Sequence, residues 1–110
     1  MFRLAPDPVF MATVPLSVRG GEPVPVVFNF RHMGRKALAA FIQRTKDEGM
    51  ADEAVLGAVI DTWRDVVDPS GAPVPYSPQA LAQLLDDHPA ASTEIWNGYL
   101  AALLDYRRGN

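Results

Sequence analysis

The sequence predicts an α+β fold: an N-terminal β-hairpin packed on a mainly helical domain of about four helices. Three observations carry this. Between residues 10 and 31 apolar and other residues alternate at the period of a half-buried strand, from residue 34 onward apolar residues recur at helical spacing, and glycine and proline punctuate the two regimes. An isolated hairpin is marginal in water, so the economical arrangement lays its apolar face on the helices. At 110 residues the chain reads as one domain, residues 1–110, with no internal repeat or inter-domain linker.

The hairpin is expected over about residues 10–32. Phe10, Ala12, Val14, Leu16 and Val18 alternate with Met11, Thr13, Pro15, Ser17 and Arg19, and Val24, Val26, Phe28 and Phe30 alternate with Pro25, Val27, Asn29 and Arg31. Gly20-Gly21 between the runs can adopt the positive φ angles that a tight hairpin requires. Pro15, Pro23 and Pro25 cannot donate ladder hydrogen bonds, which keeps at least one edge from further pairing.

Four helices follow. The first is expected over residues 34–48, with Leu38, Phe41, Ile42 and Thr45 inward and Gly49 as its stop. A second, over 52–66, starts at or beside Asp52 and carries Val55, Leu56, Val59, Ile60 and Trp63 on one stripe facing the core. The chain then reverses at Asp68-Pro69-Ser70-Gly71, whose residue types suit a type I turn, and Pro73 and Pro75 hold it extended to Tyr76. Ser77-Pro78 begins a third helix, 77–87, with a capping hydroxyl and a proline at the first helical position; Leu81, Leu84 and Leu85 form its apolar face. The fourth, 90–107, carries Ile95, Trp96, Tyr99, Leu100, Leu103 and Leu104 over an arc wider than one neighbour needs.

Composition excludes several functional classes. The absence of cysteine removes disulfides, thiolate metal sites and thiol nucleophiles, and fits a reducing compartment. Pro6, Asp7 and Pro8 interrupt any signal-peptide hydrophobic region, and no apolar run approaches the ~20 residues of a membrane span. Residues 1–49 hold seven Lys/Arg against four Asp/Glu, and residues 50–110 three against nine. That balance lacks the strong basic face of a nucleic-acid binder, while its asymmetry permits head-to-tail self-association.

No catalytic constellation is present. His32 and His88 lack second ligands at metal spacing, and Asp65 to Gly71 lacks the ligand order and closing glutamate of a calcium loop. Asp61 and Asp65 lie one helical turn apart, but they read as solvated charges, with Arg64 three residues from Asp61. There is no nucleophile elbow or phosphate loop, so no enzyme, cofactor or metal is expected.

What remains is a set of candidate partner contacts. Arg35 and Lys36 begin the first helix while Asp47 and Glu48 end it, the reverse of what the helix dipole favours. Arg31, Arg35 and Lys36 are therefore the polar candidates. Trp96 and Tyr99 are the aromatic ones, since they sit on different sides of the broad arc and large aromatics anchor interfaces as well as cores.

Trp63, the Asp68-Pro69-Ser70-Gly71 turn, Pro73-Val74-Pro75-Tyr76-Ser77, Leu81, Leu84, Leu85 and the Asp86-Asp87-His88-Pro89 stop together resemble the small tail assembly chaperones of long-tailed bacteriophages and their prophages. The similarity takes in Phe28-Asn29-Phe30-Arg31 and the Ile95-Trp96-Asn97-Gly98-Tyr99 helix, and spans about residues 10–110. It implies a non-catalytic cytoplasmic factor that binds the tape measure protein, keeps it soluble and helps tail tube protein polymerise around it. A structural tail component retained in the virion, such as a completion or joining protein, would have a similar sequence. The resemblance also implies that a longer read-through product could extend from Arg107-Arg108-Gly109-Asn110.

Overall fold

The computed structural model describes residue 2, residues 4–5 and residues 7–107, with side chains up to residue 105. Residues 108–110, where the read-through extension would attach, lie outside the described residues, as does Pro6. The element order is β1 (Val9–Leu16), β2 (Val24–Arg31), α1 (Arg35–Asp47), α2 (Asp52–Val59), β3 (Ile60–Arg64), α3 (Pro78–Asp87) and α4 (Ala91–Arg107). This is the α+β class that the two periodicities called for.

The alternation along the hairpin decides which side chains are inside. β1 and β2 pair antiparallel from Val9↔Arg31 to Leu16↔Val24. Val14, Leu16, Val26, Phe28 and Phe30 are buried on one face, whereas Met11 and Thr13 lie exposed on the other. Pro15 and Pro25 stand opposite each other near the end of the ladder. The connection is longer than the glycine pair suggested. The strands stop at Leu16 and Val24, and the turn at the tip places Gly20 at φ +74° with the Gly21 N–H donating to the Val18 carbonyl at 3.3 Å. Only Gly20 needs the left-handed region, as the third residue of a type II turn does.

The second helix is shorter than its apolar stripe. α2 ends at Val59, and Ile60–Arg64 forms a third strand that pairs antiparallel with β2, giving the sheet order β1-β2-β3. Ile60, Thr62 and Trp63 are β-branched or aromatic and prefer extended backbone, and pairing with β2 satisfies it. Phe28 faces Trp63, Asn29 faces Thr62, and Phe30 faces Ile60, so Asp61 is an extra residue at a β-bulge. That insertion turns Ile60 and Trp63 to the same buried face, at 0% and 7% exposure. The Asn29 side-chain amide donates to Thr62 Oγ1 across the ladder at 3.1 Å.

Beyond β3 the chain folds back to cover Trp63. Asp65 adopts φ +67°, a conformation that Asp tolerates better than most residues. The Asp68 turn forms as its residue types require: the Gly71 N–H donates to the Asp68 carbonyl at 2.9 Å, with Gly71 at φ +87°. The Asp68 carboxylate accepts from Ser70 Oγ (2.6 Å), Ser70 N (2.9 Å) and Ala72 N (3.0 Å). The returning limb brings the Val74 carbonyl within 2.8 Å of Trp63 Nε1 and sets the Tyr76 ring edge-on to the indole at 5.0 Å.

The Ser70 hydroxyl, followed by the Ala72 N–H, holds the Asp68 carboxyl below the ordinary carboxylate range. A depressed folded-state pKa means that the turn's contribution is present above the unfolded value and is lost as pH falls through the folded one. Titration followed by NMR should therefore find Asp68 ionising at lower pH than an exposed aspartate, and Ser70→Ala should move it upward. An unchanged titration in that variant would show that the hydroxyl does not hold the carboxylate.

The helices close over one face of the sheet. α1 stops in a Schellman motif: Gly49, at φ +59°, donates to the Lys46 carbonyl and Met50 N donates to the Thr45 carbonyl. α2 takes Ala51 rather than Asp52 as N-cap, and Asp52 and Glu53 occupy its first turn, where the dipole favours them. Ser77 caps α3 by accepting from Ala80 N at 3.0 Å. α4 packs on β1, α2 and α3, burying Ala91, Ile95, Tyr99 and Leu103. Its arc is wide because it has several neighbours.

Candidate partner-binding surface

The aromatic residues of α4 divide between core and surface. Tyr99 is fully buried, with its ring 5.1 Å from Phe30 and 6.1 Å from Phe10, and its hydroxyl donates to the Arg31 carbonyl at 2.9 Å. It pins α4 to the end of β2 and presents no surface to a partner. Trp96 is half-buried, tilted against Phe41 at 6.3 Å on one side and Tyr99 at 5.7 Å on the other.

Arg31 is engaged by its own fold although its side chain is 47% exposed. Its guanidinium donates to the Ile60 carbonyl at 2.7 Å and the Gly57 carbonyl at 3.3 Å, and pairs with Asp61 at 3.2 Å. Gly57 lies in the last turn of α2 and Ile60 is its C-cap, so Arg31 caps that helix end from the neighbouring strand. The sequence offered Arg31 as a partner contact; its pairing with Asp61 depends on the bulge and has no local signature.

Arg35 and Lys36 remain outward. Both are exposed in the first turn of α1, which contains no acidic residue, and the N-cap Gly34 supplies no side-chain hydrogen bond. The other end of the helix is better matched than the sequence suggested. Arg44 and Lys46 lie in its last turn, Arg44 pairs with Glu48 at 3.2 Å, and Gln43 donates to Asp47 at 2.9 Å. The unfavourable charge is thus confined to the N-terminal end.

Between α1, α2 and α4 runs a groove of about 360 Å³. Ile42, Val55, Leu56 and Trp96 provide its apolar walls; Thr45, Ser92 and Thr93 provide hydroxyls, and Lys46 and Asp52 line it as well. Val55 and Leu56 were expected as core. Leu56 is buried, but Val55 and Ile42 are half-exposed and, with Trp96, turn apolar atoms toward solvent. α1 has one buried residue, Phe41, which meets Trp96; the groove wall contributed by α1 therefore rests on a small apolar contact.

Among the described residues, no group of three or more His, Asp or Glu side chains is placed to hold a metal. No helix among them is long and apolar enough to cross a membrane. The groove offers apolar contact, hydroxyl hydrogen bonding and charge. A family model described as phage tail assembly chaperone matches residues 1–110. No curated protein and no solved structure matches the chain.

Proposed function

Because the chain belongs to the phage tail assembly chaperone family, we propose that it binds the tape measure protein in the host cytoplasm, keeps it soluble and assists tail tube polymerisation around it, without catalysis or cofactor. The observation that carries this reading is the groove walled by Ile42, Val55, Leu56 and Trp96. An amphipathic helix buries anchors spaced along one face in such a groove, and a long tape measure helix needs its apolar positions covered until tube subunits surround it. Arg35 and Lys36, on the helix that forms one wall, supply the charge that steers it.

Reversing both charges, Arg35→Glu with Lys36→Glu, should leave folding intact because acidic residues suit a helix N-terminus. Association with the tape measure protein at low salt should slow by about tenfold or more, and the rate should lose much of its salt dependence. Trp96→Ala should instead raise the dissociation rate. Stopped-flow association at low and high salt separates the two effects. If the doubly reversed protein associates as fast as wild type at low salt, the cluster has no steering role. The wider assignment is tested by purifying assembling and finished tails: the protein should accompany the tape measure protein in the former and be absent from the latter. Retention in finished particles would favour a structural tail component.

A further inference from the structure

Taking the groove between α1, α2 and α4 as the partner site, we infer that it selects an amphipathic helix carrying an acidic side chain two turns from its apolar anchor, on the same face. Ile42 and Lys46 both line the groove, which fixes the edge of α1 that borders it. Residues four, seven and eleven positions apart share one face of a helix, so the same edge runs back through Ala39 to Arg35. Along its length that edge presents a cation, an alanine, an isoleucine and a second cation. Ala39 and Arg35 are exposed, and the small alanine leaves a bound helix room to continue along α1 beyond the groove.

Charge decides what the far end of such a helix must carry. Within the groove, Lys46 on α1 and Asp52 on α2 set one charge of each sign and favour neither sign in a partner. Arg35 lies beyond them, seven residues from Ile42 and so about 10 Å along the helix axis. Among the described residues no carboxylate pairs with it: the first turn of α1 contains no acidic residue, and the ion pairs join Arg31 to Asp61 and Arg44 to Glu48. Two helices lying side by side rise equally per residue, so a side chain seven places from the anchor that meets Ile42 comes to rest over Arg35. A carboxylate at that place finds a guanidinium suited to a bidentate pair. A lysine there would face Arg35 with Lys36 close by, and like charges oppose it.

Calorimetric titration of the full chain with synthetic peptides of about 18 residues, lactam-bridged to hold them helical, tests this at low salt. One peptide carries a leucine stripe with glutamate two turns from its central leucine on the same face. A second has lysine in place of that glutamate, and a third moves the glutamate to the opposite face. The first should bind about tenfold or more tighter than the second, with the third between them. Arg35→Glu should reverse the order of the first two, whereas Lys36→Glu, on the adjacent face of α1, should narrow the difference without reversing it. Trp96→Ala should weaken all three, and Val55→Ser, at a half-exposed position on the facing wall, gives the same reading if that variant does not fold by circular dichroism. Equal binding of the glutamate and lysine peptides, or an order that survives Arg35→Glu, overturns the inference and leaves the groove in place as long as Trp96→Ala still weakens binding. If no peptide binds up to about 1 mM, or none responds to the groove variants, the groove is lost as the partner site and the inference falls with it.

Discussion

Trp63→Ala is expected to destabilise the protein by about 3–5 kcal/mol, the range for truncating a buried aromatic. The side chain is 7% exposed and stands where three segments meet: Phe28 of β2 at 6.4 Å, Tyr76 at 5.0 Å, and the Val74 carbonyl, which accepts its Nε1–H at 2.8 Å. Truncation opens a cavity between strand and returning limb and leaves a carbonyl without its donor. Trp63→Phe keeps much of the volume while removing the donor, and should lose about 1–3 kcal/mol. Urea unfolding of both variants gives the two contributions. A loss below about 1 kcal/mol for the alanine variant would mean that the limb collapses onto the vacated space instead of depending on the indole.

Gly98→Val should destabilise the protein by overpacking the contact between α4 and β1. The added side chain would meet Val14 at a separation no real Cβ tolerates, 2.6 Å to one methyl and 3.0 Å to the other. Either α4 lifts from β1 or Val14 leaves its position, and overpacking of this kind costs about 1–3 kcal/mol. The gain from removing a helical glycine offsets only part of it, being about 1 kcal/mol even for alanine. Combining Gly98→Val with Val14→Ala should recover part of the loss, and a double-mutant cycle would express that recovery as coupling. Additive effects of the two substitutions would place the strain elsewhere along α4.

The hairpin and the last two helices were legible because their local rules agree with their packing. Val14, Leu16, Val26, Phe28 and Phe30 alternate in sequence and are all buried, and Ser77-Pro78 caps the helix its residue types announce. β3 was hidden by a coincidence of period. Ile60 and Trp63 are three residues apart, which reads as one helical stripe, yet they share a face because the bulge adds Asp61 to a strand of period two. The bulge is set by pairing with β2, residues far away in sequence, and has no local signature.

The candidate surface was legible to a similar extent. The uncompensated charge of Arg35 and Lys36 follows from sequence order alone. The roles of Arg31 and Tyr99 do not, since one caps a helix and the other donates to a backbone carbonyl across 68 residues of sequence. The breadth of the α4 arc pointed toward a partner, but it reports mainly how many elements of its own chain this helix touches.

Ile60 is both the C-cap of α2 and the first residue of β3. A helix and a strand that share a residue have no slack between them, and Arg31 grips the joint from β2 through the carbonyls of Gly57 and Ile60. α2 is then fixed to the sheet at one end. Val55 and Leu56, which wall the groove, are thus joined to β3, and through the ladder to β2, with no loop between to absorb a displacement.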